Sequence, residues 1–312
     1  MRKKYKTIIS ASRRTDIPAF YSEWFMNRIR AGSCIVPNPM YPKQETKPVS
    51  LRSEDVEIIV FWTRDPKPLM KYLPELDKLG YKYYFQYTIL GYPKEIDPKS
   101  PSIDKSIKTF SELSDSIGKE KVIWRYDPIL FSNLTSLQWH KKQIEEISEK
   151  IKDKTEQLVI SFIDPYKKTK IRMDKETSNM FSLDDDAFDA ERYLELAKWI
   201  GISMKGKGIR VVTCAEQLEL SAYGIDHGKC IDDKIIQKII NRDKKDLFGI
   251  PDYKVTSRKD PVQREACGCV KSRDIGVNNT CLFGCKYCYA TSNIELAKEN
   301  FKKHDKTKES LL

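Results

Sequence analysis

The chain has 312 residues, of which 40% are hydrophobic and 32% are charged, and its formal net charge is +11. This length suits one large domain or two small ones with a substantial core. The sequence has no apolar run of about 18 residues that could span a membrane. The apolar stretch at residues 7–11 is stopped by Arg13 and Arg14, so it does not read as a secretory signal. We therefore expect a cytoplasmic protein.

Short segments rich in β-branched and aromatic residues alternate along the chain with longer amphipathic segments. The short segments predict buried strands at residues 7–12, 56–63, 82–88, 122–126, 158–163 and 209–214. The amphipathic segments predict helices at residues 18–31, 68–79, 103–117, 136–151, 187–200 and 294–303, with Pro74 bending or shortening the second. This alternation predicts an α/β fold, either a TIM-like (βα) barrel or an open parallel sheet.

Polar residues follow each predicted strand where it ends. They include Arg13, Arg14, Asp16, Gln86, Arg125 and Asp127, which are candidates for contacts with substrate or cofactor. In a (βα) barrel the active site lies at the carboxyl ends of the strands, so a polar ring around one cavity is expected. The Asp-Pro pairs at 65–66, 127–128 and 164–165 are also typical of turns and helix starts. An arginine at the position of Arg125, inside a barrel, needs an anionic partner.

Three cysteines near the C-terminus have the spacing C-x3-C-x2-C: Cys281, Cys285 and Cys288. Thiolates are soft ligands, and three of them on one loop can hold three corners of a cubane iron–sulfur cluster. The fourth iron would then have no protein ligand and could bind a small molecule. The spacing therefore predicts a reactive metal centre.

Four further cysteines in the last third of the chain are Cys214, Cys230, Cys267 and Cys269. Eight cysteines without an export signal argue against a disulfide scaffold. Four thiolates match one complete [4Fe–4S] site or one all-cysteine zinc site, and their spacing does not choose between the metals. Alternatively, Cys214 is a core residue and only Cys267 and Cys269 assist a zinc site.

Histidines are few, which makes Ser-His-Asp hydrolysis and histidine-based zinc hydrolysis poor interpretations. We expect His140 to lie on the surface of a helix. His227 is the histidine nearest to cysteines in the sequence. Ligation of a metal by His227 is the less favoured interpretation of this residue.

Residues 278–290, which include Tyr287, resemble the cysteine loop of the radical SAM superfamily, C-x3-C-x-aromatic-C. Residues 61–66 and 124–129 resemble segments of the spore photoproduct lyase-like branch of that superfamily. The whole chain, from residue 9 to residue 290, also resembles a bacterial family defined as a domain of unknown function. The resemblance implies a [4Fe–4S] cluster on Cys281, Cys285 and Cys288.

In such enzymes the open iron binds S-adenosylmethionine, and reduction yields a 5′-deoxyadenosyl radical that abstracts hydrogen from a substrate. The resemblance also implies that Tyr287 packs beside the cofactor, that a protein such as flavodoxin or ferredoxin supplies electrons, and that the second cysteine group holds an auxiliary cluster.

The sequence departs from the superfamily pattern in two places. The cysteine loop stands near the C-terminus, where residues 274–277, the loop and residues 294–303 resemble the first βα unit of the barrel. We therefore predict a circularly permuted, partial barrel, with residues 1–216 as its body and residues 217–312 as a cysteine-rich region that completes it. The Gly-Gly-Glu stretch of the superfamily is missing, and its nearest substitutes are Ser10, Ser12, Thr63 and Gln86.

The sequence thus predicts a radical S-adenosylmethionine enzyme. Nucleic acid is one possible substrate, given the net charge and the lyase resemblance. A lysine-rich, solvated surface explains the charge equally well. Two alternatives stay open: a zinc module that holds nucleic acid, and an electron-transfer protein whose clusters are fully ligated.

Overall fold

A computed structural model describes residues 6–38, 46–163, 190–242, 255 and 257–312. The predicted Asp-Pro pair at 164–165 and the start of the predicted helix at 187–189 lie outside these ranges. The strands are, in chain order, β1 (Thr7–Ala11), β2 (Ser33–Cys34), β3 (Val49–Ser50), β4 (Val56–Thr63), β5 (Tyr83–Thr88), β6 (Val122–Ile129), β7 (Gln157–Phe162), β8 (Arg210–Cys214), β9 (Ile225–Gly228) and β10 (Arg273–Asp274).

Eight of the described strands form one parallel sheet in the order β10-β1-β4-β5-β6-β7-β8-β9, while β2 and β3 form a separate antiparallel pair. The α/β fold and its large parallel sheet confirm the predicted class. All six predicted strands are present within three residues of their predicted bounds. Within the described ranges, the two end strands β10 and β9 are not hydrogen-bonded to each other.

The helices between the strands are α1 (Ile17–Phe20), α2 (Ser22–Ala31), α3 (Lys67–Met70), α4 (Leu73–Lys78), α5 (Ile103–Ile117), α6 (Leu137–Ile151), α7 (Ala190–Gly206), α8 (Asp233–Arg242) and α9 (Ile294–Lys303). The single helix predicted at 18–31 is wrong, because the backbone leaves helical geometry at Tyr21. The segment 68–79 is divided as well, and Pro74 stands in the first turn of α4, where its missing N–H costs nothing. None of the described helices is both long enough and apolar enough to cross a bilayer.

The two faces of the sheet bury different parts of the chain. On β4, Ile59 and Phe61 belong to the core that includes α2, α5, α6 and α7, whereas Ile58 and Val60 face the other side. Successive side chains of a strand point to opposite faces, which explains this division. The second face packs against Ile236 and Ile239 of α8 and against Cys230, Cys267 and Cys269. Buried side chains of six strands, β1 and β4 to β8, thus pack against Cys230, Cys267 and Cys269 on this face.

The strand–loop–helix unit at residues 273–303 joins the sheet beside β1. Ile9 pairs with Arg273 and Ser10 with Asp274, in parallel register. Residues 304–312 then pack on α2, where the Trp24 indole N–H donates to the carbonyl of Lys308 at 3.1 Å and Arg28 Nη2 donates to the carbonyl of Thr307 at 3.0 Å. The chain on either side of the cysteine loop is therefore held by segments that are far away in the sequence.

The prediction that His140 lies on the surface is wrong, because its side chain is fully buried. Its Nε2 lies 2.9 Å from the carbonyl oxygen of Leu130, and its Nδ1 lies 2.8 Å from the Tyr126 hydroxyl. A carbonyl can only accept, so Nε2 carries the proton and Nδ1 accepts from Tyr126. Burial lowers the pKa of His140 to about 4.

The buried imidazole predicts acid sensitivity of the fold. The pKa of His140 is lower in the folded state than its usual 6.5, so its contribution is present above about pH 6.5 and is lost as the pH falls through about 4. We expect the free energy of unfolding to fall by up to about 3 kcal/mol more in the wild type than in His140→Gln over this range. Urea unfolding at a series of pH values measures the difference. Parallel pH profiles for the two proteins would contradict the assignment.

Candidate functional site

A cavity of about 910 Å³ lies at the carboxyl ends of the parallel strands. Its wall includes residues that follow β1 and residues within or directly after β4, β5, β6, β7 and β8, together with the loop between β10 and α9. Seven cysteines line it: Cys214, Cys230, Cys267, Cys269, Cys281, Cys285 and Cys288. The two cysteine groups that the sequence separates therefore face one cavity, whose volume is typical of small-molecule sites.

Most of the polar residues predicted for the site line this cavity. They are Ser12, Arg13, Arg14, Asp16, Thr63, Arg125, Asp127 and Tyr287. Ser10 and Gln86 do not line it, and both are fully buried. The Ser10 hydroxyl donates to Asp274 at 2.8 Å, and Gln86 Nε2 donates to the carbonyl of Cys230 at 2.8 Å. Both side chains lie beneath the residues that line the cavity.

The base of the cysteine loop is closed by Asn279. Its side-chain oxygen accepts hydrogen bonds from the N–H and hydroxyl of Ser292, and its backbone N–H donates to the carbonyl of Ala290. Asn279 has a φ of 55°, a left-handed conformation that asparagine tolerates better than most residues. Asn300 of α9 donates to the Asn279 carbonyl at 2.9 Å, which fixes the loop to the helix that follows it.

The tip of the loop is held by an ion pair below the cavity. Arg64 Nη1 lies 2.7 Å from Asp97 Oδ2, and the Tyr287 hydroxyl donates to the same oxygen at 3.1 Å. Arg64 Nη2 also contacts the Tyr287 hydroxyl. The ring of Tyr287 packs edge-on against Tyr92 at a centroid distance of 5.9 Å. Tyr287 therefore anchors the loop through its hydroxyl while its ring lines the cavity.

The three thiols of this loop lie in a desolvated environment. Burial raises the pKa of Cys281 to about 12, and burial raises the pKa of Cys285 well above its usual value, although Arg64 opposes the second shift. The backbone N–H of Thr291 lies 3.3 Å from Cys288 Sγ and donates to it. A bound cation replaces thiol protons, so this donor set suits a metal centre better than free thiolates.

The second cysteine group is joined by sulfur hydrogen bonds. Cys230 Sγ lies 2.9 Å from Cys214 Sγ, and the Ile231 N–H lies 3.4 Å from Cys269 Sγ. Hydrogen bonds from Cys230 lower the pKa of both Cys214 and Cys269, and Cys267 adds to the effect on Cys269. The donor thiols, Cys230 and Cys267, have raised pKa values for the same reason. The four cysteines thus lie close enough for their thiols to interact with one another.

Arg125 connects the second cysteine group to the sheet. Its Nη1 donates to Cys230 Sγ at 2.8 Å and to Gln86 Oε1 at 3.1 Å, and its Nη2 contacts the carboxylate of Asp127. The anionic partner expected for this buried arginine is therefore Asp127, two residues along the same strand. Asp127 is also contacted by the Ser161 hydroxyl on β7.

Asp274 joins the first strand to the last. Its Oδ2 accepts from the Ser10 hydroxyl at 2.8 Å and from the Arg13 N–H at 2.8 Å. Its Oδ1 accepts from the Ser12 hydroxyl at 2.7 Å and from the Gly276 N–H at 2.9 Å. This carboxylate fixes the polar segment after β1 beside the cysteine loop.

Asp16 lies on the other side of the same segment. Burial raises its pKa to about 7, although the N–H groups of Arg64 and Ala19 donate to its carboxylate at 2.7 and 3.0 Å. After burial, the negative charge of the Asp16 carboxylate is the next cause of the raised pKa of the Cys281 thiol. Asp16 therefore connects the end of β4 to the first cysteine of the loop.

Sequence reasoning missed Arg64, Asp97 and Asp274. Arg64 follows a strand, as Arg13 does, so its position was a usable signal. Asp274 begins the short strand predicted before the cysteine loop, but its partners in the segment Ser10–Arg13 lie more than 260 residues away. His227 is exposed, does not line the cavity, and lies 3.3 Å from Glu219, so ligation by His227 has no support.

Across the described ranges, no group of three or more His, Cys, Asp or Glu side chains is already arranged to hold a metal ion. Both groups supply the soft donors that iron–sulfur clusters and zinc use.

The fold and the site define an α/β protein with two cysteine groups around one cavity at the carboxyl end of a parallel sheet. The family described as "Domain of unknown function (DUF1848)" matches residues 8–290, so the chain belongs to that family. No curated protein matches the chain.

A solved structure with some similarity is that of a proposed alpha-L-fucosidase from Bacteroides thetaiotaomicron VPI-5482. It is 10% identical, covers 81% of this chain and 85% of that chain, and has a TM-score of 0.23. An overlap of this quality carries no argument about the activity of this chain.

The four hydrogen bonds to Asp274 predict that replacing its carboxylate with an amide, in Asp274→Asn, destabilises the fold. Each of its oxygens accepts from one backbone N–H, so in Asp274→Asn one of these N–H groups must face an NH₂ group. We expect a loss of about 1–3 kcal/mol in the free energy of unfolding. Asp226→Asn is the control, because Asp226 is exposed and pairs only with exposed Arg210. Equal losses in urea unfolding would contradict the role of Asp274.

The close approach of Gly276 to Ser12 predicts that a side chain at position 276 destabilises the fold. A Cβ on this residue would lie 1.9 Å from the Ser12 hydroxyl oxygen, which Asp274 holds in position. We expect Gly276→Ala to destabilise the fold by about 1–3 kcal/mol. Gly206→Ala, where a Cβ meets nothing within 4 Å at the end of α7, should cause no loss. Thermal unfolding of the two variants decides the point, and a tolerated Gly276→Ala would count against the close contact.

Proposed function

We propose that this protein is a radical S-adenosylmethionine enzyme. The observation that carries the proposal is that all three cysteines of the C-x3-C-x2-C loop line the 910 Å³ cavity at the carboxyl ends of the strands. Cys281, Cys285 and Cys288 would hold a [4Fe–4S] cluster and leave one iron open. When bound, such a cluster passes one electron to the sulfonium of S-adenosylmethionine, whose C5′–S bond breaks to give methionine and the 5′-deoxyadenosyl radical.

The arrangement of β10 supports the barrel interpretation of the sheet. β10, the cysteine loop and α9 form a strand–loop–helix unit whose strand is parallel to β1. In the proposed barrel this unit is the first and the segment from β1 to β9 follows it, so the chain would be a circularly permuted, partial (βα) barrel. Residues 1–216 would form its body, and residues 217–312 would complete it.

The walls of the cavity suggest what the protein's own residues do. Tyr287, anchored by Arg64 and Asp97, would keep the cysteine loop in place beside the cofactor. Ser12 and Thr63 line the same cavity and are proposed contacts of S-adenosylmethionine. A one-electron reductant such as flavodoxin or ferredoxin would supply the electron.

We propose the second cysteine group as an auxiliary metal centre. Cys214, Cys230, Cys267 and Cys269 converge on the other wall of the cavity, and Arg125 donates a hydrogen bond to one sulfur. Four thiolates satisfy either a [4Fe–4S] cluster or zinc. After reconstitution, about eight irons per chain indicate two cubanes, whereas one zinc per chain rejects the auxiliary cluster.

Substitution of Cys285 tests the proposed activity. The protein is purified without oxygen, reconstituted with iron and sulfide, reduced, and given S-adenosylmethionine. We expect the wild type to release 5′-deoxyadenosine and Cys285→Ala to release at least about 100-fold less, because the open-iron cluster needs all three thiolates. Chromatography of the quenched reaction measures the nucleoside.

Cys34→Ala is the matched control, since Cys34 is buried but lies outside the cavity. It should keep the activity of the wild type. A colourless, zinc-loaded wild-type protein would favour the zinc module instead. A brown protein that leaves S-adenosylmethionine intact would favour the electron-transfer interpretation.

A further inference from the structure

Among the described residues, arginines outnumber aspartates in the cavity wall. Five arginines and two aspartates of the described ranges line the cavity: Arg13, Arg14, Arg64, Arg125, Arg264, Asp16 and Asp127. Arg64 is paired with Asp97, and Arg125 with Asp127. The guanidinium group of Arg13 is different, because its Nη2 is buried and has no hydrogen-bond partner among the described residues. An arginine in a desolvated position needs an acceptor, since an unmade hydrogen bond of a buried charge is costly.

Two further buried donors on the same wall have no partner in the described structure: the Trp62 indole N–H and the Thr15 hydroxyl. Arg13 Cζ lies 5.2 Å from the centroid of the Trp62 ring, and Arg125 Cζ lies 5.0 Å from it. In the sheet order, Arg13 follows β1 on one side of β4, and Arg125 stands on β6 on the other side. Trp62 thus lies between two cations, each at a cation–π distance.

We propose that Arg13, Trp62 and Thr15 form the subsite for an anionic group, a carboxylate or a phosphate, of a small-molecule ligand. A guanidinium binds either group with two hydrogen bonds, and the indole N–H and the hydroxyl supply further donors. The cavity is large enough for a ligand body beyond this group, and its wall also contains Phe162, Ile163 and Phe283. The assignment of this ligand as the substrate rests on the proposed radical chemistry, whereas the binding itself does not.

The thiols offer one competing partner for Arg13. Its guanidinium interacts electrostatically with Cys269 and Cys230 in the second cysteine group, and also with the carboxylate of Asp274. Metal-bound cysteine sulfurs carry negative charge. If these sulfurs were the partner of Arg13, the metal-loaded protein would have no free donor on Arg13 and would not prefer anionic ligands. The experiment therefore uses the reconstituted full-length protein, in which this competition is present.

Calorimetric titration with three matched probes tests the subsite: phenyl phosphate, benzoate and the uncharged benzyl alcohol. No S-adenosylmethionine is added. We expect at least one anion to bind about 10-fold or more tightly than the alcohol, which equals about 1.4 kcal/mol. A preference for phenyl phosphate identifies a phosphate site, and a preference for benzoate a carboxylate site. Equal binding of all three probes, or none, would overturn the proposal.

Three variants assign the effect to the named residues. Arg13→Gln should lose the preference for the anion, and Trp62→Phe, which keeps a ring but removes the N–H, should weaken anion binding about 3- to 10-fold. Arg210→Gln removes the same charge at the amino end of β8, where Arg210 is exposed, and should change nothing. Anion binding that survives both Arg13→Gln and Trp62→Phe would reject the subsite.

The two proposals fail separately. If 5′-deoxyadenosine forms but the probes show no anion preference, only the subsite is wrong. If the probes bind as expected but no 5′-deoxyadenosine forms, the anion subsite stands and the radical chemistry is wrong.

Discussion

One carboxylate, that of Asp274, joins the last strand of the described chain to the first. Asp274 accepts four hydrogen bonds, three of them from the segment Ser10–Arg13 and one from Gly276. β10 has only two residues, so its backbone ladder with β1 is too short to fix the neighbouring loops by itself. The side-chain contacts of Asp274 supply what the ladder lacks. They bring Arg13 and the cysteine loop to the same cavity, on which both proposals depend.

Hydrophobic patterning predicts most of the fold, because a buried parallel strand is apolar on both faces and is recognisable from its own residues. This holds for the strand at 56–63 and for the first part of β6, where the strand was predicted at 122–126. It fails for β9, whose sequence Ile225-Asp-His-Gly is polar and short, and which lies at the end of the sheet. It also fails for His140, because a histidine between helical residues gives no sign that Tyr126 and Leu130 will enclose it.

The sequence predicted most of the residues that line the cavity, but not the hydrogen bonds and ion pairs between them. Polar residues after each strand and the spacing of Cys281, Cys285 and Cys288 are visible in the sequence, and the structure brings them to one cavity. Gln86 and Ser10 are polar residues of the same kind, but each lies deeper on the cavity-side face of its strand, where Gln86 bonds to Cys230 and Ser10 to Asp274 and neither reaches the cavity. The pairing of Arg64 with Asp97 and of Asp274 with β1 depends on tertiary contacts that no local pattern encodes.

The long sequence separation between Ser10 and Asp274 has a consequence for biosynthesis. As the ribosome makes the chain from its amino end, β1 and its serine hydroxyls emerge more than 260 residues before the carboxylate that they bind. Contacts between such distant segments close slowly, because a large loop must be ordered first. The contacts between β1 and the unit that carries the cysteine loop can therefore form only after all the strands between them have been synthesised.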